Sequence, residues 1–235
     1  MLDFGPAVGT KPPGFAPDVS ARLDTFVALL LQANATMNLT AARTPEEAAL
    51  HVADSLTLVP FVRGPLIDIG SGGGFPAIPL AIATGVAVTL VESVAKKAHF
   101  LESVISELGL DASVRTQRAE DAARDPLLRE RFASATARAV SSLTAVLEMT
   151  VPFLTVGGLA VLQRGRVSEA ERIAASDAGL ILGVALREEI QLADGDERRI
   201  LLFAKERVTG QRFPRRAGIP AKRPLCVAGR APADD

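Results

Sequence analysis

The stretch LIDIGSGGGFPAIPLA, residues 66–81, decides the fold. An apolar run stops at Gly70, and glycine occupies positions 70, 72, 73 and 74 before Phe75 and Pro76. The run reads as a short buried strand, PLIDIG, and residues 76–84 as the helix that follows. Glycine lets the backbone turn with positive φ and approach a ligand with no Cβ in the way. In an α/β sheet, the loop leaving the carboxyl end of the first strand is where ligands bind.

The spacing narrows the ligand. A dinucleotide loop follows G-x-G-x-x-G, and its last glycine falls here on Phe75. The chain satisfies G-x-G-x-G instead, at Gly70, Gly72 and Gly74. That spacing is the S-adenosylmethionine (SAM) loop of Rossmann-like methyltransferases, which has no pyrophosphate to cradle. The next strand, VAVTLVE, ends at Glu92, where a carboxylate can accept bonds from both ribose hydroxyls. NAD and SAM share that ribose, so the loop, not Glu92, favours SAM. After the third strand, Glu120 and Asp121 stand beside the expected adenine pocket, or serve only as acids at a helix start.

Outward from the loop, strands and helices alternate. A helix at 94–108 ends at Gly109, ASVRTQ and ASATARAV read as two more strands, and a helix at 143–153 precedes the strand GGLAVLQRG. Residues 168–178 are helical, and GVALREEIQL and ERRILLFAKE form a terminal antiparallel pair joined by the turn ADGD. The expected fold class is α/β: a Rossmann-like class I SAM-dependent methyltransferase with a mostly parallel seven-stranded sheet, an antiparallel last strand and a small N-terminal helical cap. In the cap, Asp18 or Ser20 starts a helix to about residue 32, and Thr44 with Pro45 starts another to about residue 62. The expected division is a loose extension at 1–17, the cap at 18–62, the methyltransferase domain at 63–206 and a basic tail at 207–235 without regular structure.

Composition excludes several classes. With 48% hydrophobic and 23% charged residues the chain is ordinary globular material, and a net charge of −1 predicts no polyanion partner in bulk. The charge is uneven, because Lys205, Arg207, Arg212, Arg215, Arg216, Lys222 and Arg223 face only Glu206 in the same stretch. One cysteine, Cys226, and two separated histidines, His51 and His99, give no disulfide framework and no expected metal site. The N-terminus lacks a basic-then-apolar leader, and no apolar run is long enough for a membrane span, so the expected compartment is the cytoplasm.

The segments NLTAARTPEEAALHVADSLTLVP, GSGGGFP, VESVAKKAHFL, ARAVSSL and LQRG together closely resemble the RsmG family, also called glucose-inhibited division protein B. The resemblance covers about residues 20–205. It implies methylation at N7 of a single guanine of small-subunit (16S) ribosomal RNA, guanine 527 in the family's rRNA numbering. It also implies SAM contacts at Gly70, Phe75, Glu92, Ser93, Val94, Ala119, Glu120 and Arg138; by its residues alone, Arg138 is a strand-end arginine of uncertain purpose. The family commonly has lysine where this chain has Arg164, which keeps the charge but offers a fork. Trp and Tyr are absent, so stacking falls to Phe75 or to arginine planes.

Guanine N7 carries an in-plane lone pair and no proton, so its methylation needs no general base; no catalytic acid or base is expected, only alignment. RNA binding needs basic surface, and Arg164, Arg212, Arg215, Arg216, Lys222 and Arg223 are the candidates, with Arg43. His51 and Asp54, three apart on a helix, can hydrogen-bond each other and organise the cap against the sheet in preference to acting in chemistry. Asn38 either pairs with the target base or, the favoured reading, caps the cap's loop. The expected partner is 16S rRNA or the small subunit, with a monomeric enzyme, no membrane and no metal. Three other readings stay open: an NAD-dependent oxidoreductase, a methyltransferase of another substrate, and a non-catalytic SAM-binding regulator.

Overall fold

Leu66, Ile67 and Ile69 are buried on both faces of their strand, as expected where helices cover a parallel sheet on both sides. A computed structural model describes residues 16–138, 141–192 and 197–225. The strands are β1 (Leu66–Ile69), β2 (Val88–Val91), β3 (Ala112–Arg115), β4 (Phe132–Ala137), β5 (Leu154–Arg164), β6 (Val184–Gln191) and β7 (Arg199–Lys205). The helices are α1 (Pro17–Met37), α2 (Pro45–Leu56), α3 (Ala77–Thr84), α4 (Ala95–Leu108), α5 (Ala119–Ala122), α6 (Leu143–Thr150), α7 (Glu169–Leu182) and α8 (Ile219–Lys222).

One seven-stranded sheet runs in the order β3-β2-β1-β4-β5-β7-β6. The first five strands are parallel neighbours, and β7 inserts antiparallel between β5 and β6. Chain order reverses between β1 and β4, so a crevice opens at their carboxyl ends, the place where such sheets bind ligands. The glycine loop leaves β1 and Arg138 follows β4, one on each side of that crevice.

Alternation along β1 divides the core. Leu66 joins Leu23, Phe26, Leu30, Val52, Ile78 and Leu101 under α1–α4, whereas Ile67 and Ile69 join Ala135, Phe153, Leu162 and Phe203 on the other face. The cap helices therefore share one core with α3 and α4.

Several boundaries differ from expectation for local reasons. Neither Asp18 nor Ser20 caps α1: Ala16 is the N-cap, no side chain bonds there, and Pro17 takes the first turn. The helix runs on to Met37 and stops at Asn38, which adopts the left-handed conformation at φ 51° and so caps the loop as expected. Thr44 does cap α2, its hydroxyl accepting from Glu47 N at 3.3 Å, but the helix ends at Leu56, short of residue 62. There the Thr57 hydroxyl donates to Asp54 O at 2.7 Å, and a 3₁₀ turn follows at Val59–Phe61. The tail is not irregular throughout, because α8 forms within it and Phe213, Pro214 and Pro220 are buried. The turn at 193–196, Ala139, Cys226, the extension up to residue 15 and the tail beyond residue 225 lie outside the described residues.

Candidate functional site

The loop's backbone is bent as its glycines allow: φ is 73° at Gly70, 54° at Gly72 and 94° at Gly74. A side chain at Gly74 would place its Cβ 2.7 Å from Ile78 Cγ1, and one at Gly73 would meet the Leu39 carbonyl oxygen at 2.9 Å. The second contact explains the Asn-Leu-Thr stretch. Asn34, buried in α1, donates to Thr40 O and Ala42 O and accepts from Leu39 N and Thr40 N, all between 2.7 and 3.0 Å. It folds the stretch into a turn whose Leu39 carbonyl lies against the glycine loop, so Asn34 was the residue the sequence reading missed.

Gly74→Ala is expected to cost about 2–4 kcal/mol, combining a strained φ with overpacking against Ile78. The melting temperature then falls by roughly 5–15 °C. Gly72→Ala is the contrast, because its nearest neighbour is Gly70 O at 3.8 Å, and about 1–2 kcal/mol of left-handed strain is all it should lose. Equal melting temperatures for the two variants, by scanning fluorimetry, would contradict this packing.

Glu92 is only 6% exposed and is locked onto the loop: Oε2 accepts from Gly72 N at 2.9 Å and Oε1 from Val94 N at 2.8 Å. Each oxygen keeps a second lone pair for a diol. Ser93 is exposed, and Val94 presents an exposed apolar side chain at the start of α4. Ala119 and Glu120 open α5, both buried, and Glu120 Oε1 accepts from Gly218 N at 2.7 Å.

At the other wall of the crevice, Phe75 packs edge-on against Phe26 at 5.3 Å between centroids and lies 5.6 Å from the His51 ring. The Arg138 guanidinium covers Phe75 at 4.8 Å. Arg138 Nη1 also reaches Asp54 Oδ2 at 3.5 Å, while Asp54 Oδ1 accepts from Arg198 Nη1 at 3.0 Å and from Gln163 Nε2 at 2.9 Å. Asp54 thus ties the cap to β4 and β5, as expected of it, but through partners on other elements. Burial and the neighbouring Arg138 charge lower the His51 pKa, which keeps the ring neutral.

Asp68 interrupts an otherwise apolar strand and is 1% exposed. Its Oδ1 accepts from Thr136 Oγ1 at 2.7 Å, and its Oδ2 has no hydrogen-bond partner among the described residues. Burial pushes its pKa up to about 6. An acceptor left unpaired beneath a glycine loop fits a cationic group of a ligand, and was a further residue the sequence reading passed over.

Arg138, Arg164, Arg166 and Arg198 line an open cleft of about 270 Å³ with Asp54, Gln163 and Gly165. Arg164 is held by Ser141 O at 2.7 Å and lies 3.5 Å from Glu171. In the tail, Arg212 covers Phe213 at 4.9 Å and Arg216, Lys222 and Arg223 are exposed. Arg215 is taken up instead by buried Glu148, through Nε at 2.9 Å and Nη2 at 2.6 Å.

Sheet order, glycine loop and strand-end acid define a class I SAM-dependent methyltransferase. Solved structures share the fold: an O-methyltransferase from Bacillus cereus in complex with SAH has a TM-score of 0.53 at 21% identity, over 77% of this chain and 91% of that one. Geranyl diphosphate methyltransferase in complex with SAM has 0.54 at 19%, over 69% and 88%. The family model described as rRNA small subunit methyltransferase G (GidB) matches residues 20–200. Ribosomal RNA small subunit methyltransferase G of Pelotomaculum thermopropionicum is 41% identical over 214 residues, 87% of this chain and 90% of that one. Its namesake in Desulfitobacterium hafniense is 42% identical over 217 residues, 88% and 90%. The chain belongs to the rRNA small subunit methyltransferase G family.

Proposed function

We propose that this protein transfers a methyl group from SAM to N7 of a single guanine of 16S rRNA, guanine 527 in the family's numbering. The observation that carries the reading is the position of Arg138, which covers Phe75 of the glycine loop and also lines the four-arginine cleft. One residue therefore joins a cofactor site to a surface made for phosphates.

The assignments follow from the donor set. Gly70, Gly72, Gly74 and Phe75 give the cofactor a backbone cradle, and Glu92, oriented by Gly72 and Val94, takes the ribose hydroxyls. Val94 and Ala119 offer apolar contact to the adenine, Ser93 offers polar groups at its edge, and Glu120 accepts from its amino group. Asp68 Oδ2 is the acceptor for the methionine ammonium. The bound cofactor supplies an electrophilic sulfonium methyl. Arg138, held over the buried Phe75 ring, orients the base through its guanidinium, and no residue needs to remove a proton, because N7 has none to lose.

Arg164, Arg166 and Arg198 face the phosphates, and exposed Arg212, Arg216, Lys222 and Arg223 extend the cationic surface. The major groove of an A-form helix is too deep and narrow to present N7, so the target lies in a loop or an unpaired intermediate. The proposed enzyme is a monomer, and its chemistry calls for no metal. Its substrate places it with ribosomes in the cytoplasm. No helix among the described residues is long and apolar enough to cross a membrane. In the domain division we propose, residues 18–62 are the cap, 63–206 the catalytic domain and 207–235 the tail, with 1–17 preceding them.

Small subunits from a strain lacking the modification, incubated with labelled SAM and then treated with borohydride and aniline, test the reaction. The expected result is one strand break in 16S rRNA, absent with Glu92→Ala. Label without a break would retain the methyltransferase and overturn N7. Bound SAM with no transfer to subunits or free rRNA would leave a regulator or another substrate.

A further inference from the structure

β7 runs antiparallel to β5, so it ends at the edge of the sheet opposite the glycine loop. The chain after it nevertheless returns to the crevice side, and it is fastened along the way. Arg129 donates to Thr209 O and Phe213 O, both at 2.8 Å, and Arg124 to Pro214 O at 2.7 Å. Glu148, 0% exposed in α6, takes Arg215 through its guanidinium and also through its backbone N–H at 2.8 Å. Phe213 and Leu225 pack in the cluster that holds Ala119, Ala122 and Ala123. The path brings Gly218, at φ 79°, to Glu120, where its N–H donates to Oε1 at 2.7 Å.

We propose that residues 209–225 are a positioning strap for the adenine end of the cofactor site. The Gly218 N–H fixes the Glu120 carboxylate by one oxygen and leaves the other for the adenine amino group. The inference rests on the reading of Glu120 as the adenine acceptor. A carboxylate already held in one rotamer loses less conformational freedom when the ligand arrives, so docking of the strap raises affinity. Linkage then requires the converse: an occupied adenine site holds the strap down by the same factor. The basic segment read from sequence as an arm for RNA is, over this length, also a wall of the cofactor pocket.

S-adenosylhomocysteine and the full-length protein test this without any turnover. Amide hydrogen exchange over residues 209–225, and tryptic cleavage after Arg216 and Lys222, are measured with and without the ligand. The expected result is roughly tenfold protection at saturation, within the usual range of coupling between sites. By calorimetry, Gly218→Pro, which has no N–H to donate and cannot adopt φ 79°, undocks the strap at Glu120 and should weaken S-adenosylhomocysteine by a similar factor. Arg124→Gln, which loosens the strap at Pro214 without touching Glu120, should weaken it to a smaller extent. Circular dichroism melts check that both variants fold, and exchange in the unmodified protein decides the matter if they do not. Unchanged exchange with bound ligand, while Glu120→Gln still weakens binding, would overturn the strap and keep the adenine reading. Affinity unaltered by Glu120→Gln would overturn the adenine reading and the strap with it.

Discussion

Arg138→Ala is expected to lower kcat/KM for methylation of small-subunit rRNA by about 10²- to 10³-fold, roughly 3–4 kcal/mol of transition-state stabilisation. The guanidinium lies at the carboxyl end of β4, 4.8 Å over Phe75 and 3.5 Å from Asp54. It therefore touches the glycine loop and lines the arginine cleft in the same geometry, which joins the proposed cofactor site to the proposed RNA surface. Its loss leaves Asp54 still paired with Arg198 and Gln163, so the cap stays docked and the melting temperature should shift by only a few degrees. Arg138→Lys keeps the charge but loses the planar fork that covers the ring, and should recover only part of the rate. Single-turnover rates with saturating SAM separate chemistry from binding. A loss under threefold in Arg138→Ala, with cofactor affinity unchanged, would make Arg138 a packing residue of the cap.

The parts of the site that could be read from sequence were those whose chemistry is written locally. Gly70, Gly72 and Gly74 are spaced for one backbone path, and Glu92 sits at the next strand's end by the arithmetic of a βαβ unit. The mostly parallel sheet and its antiparallel terminal pair follow from alternation and a connection too short for a helix, whereas the strand order, with β7 between β5 and β6, does not. What stayed hidden joins residues far apart in the chain. Asp54 meets Gln163 and Arg198 across 109 and 144 positions, and no period or motif encodes such a meeting. Asn34 looked like any polar residue of an amphipathic helix, because its four bonds go to a turn the helix has yet to reach. The tail's prolines and charges suggested a loose arm, but its order comes from Arg129, Arg124 and Glu148, none of which its own sequence contains. Asp68 was the exception, a signal present and unused: a carboxylate inside LIDI must be paired, neutral or reserved for a ligand.

On the proposed role of Asp68 as the ammonium acceptor, cofactor affinity should depend on pH, weakening by roughly tenfold in all as pH falls below about 6. Only the ionised carboxylate attracts an ammonium, and burial has raised the pKa at which that form appears. The unliganded fold should respond in the opposite sense. With a folded pKa near 6 against an ordinary 3.8, the native state binds more protons than the unfolded chain between those values. The Asp68 contribution to stability is therefore complete below about pH 4 and lost as pH rises through about 6, a change on the order of 3 kcal/mol for this buried group. Asp68→Asn should abolish both dependences. It keeps an acceptor for Thr136 but carries no charge, so SAM binding at pH 8 should weaken by roughly tenfold or more, the loss of one charge-assisted bond. Titration calorimetry from pH 5 to 8, beside denaturant melts over pH 4 to 7, gives both curves. Parallel binding profiles for the unmodified protein and Asp68→Asn would remove Asp68 from the ammonium site. An opposite slope in the melts alone would place its titration elsewhere, whatever the ligand does.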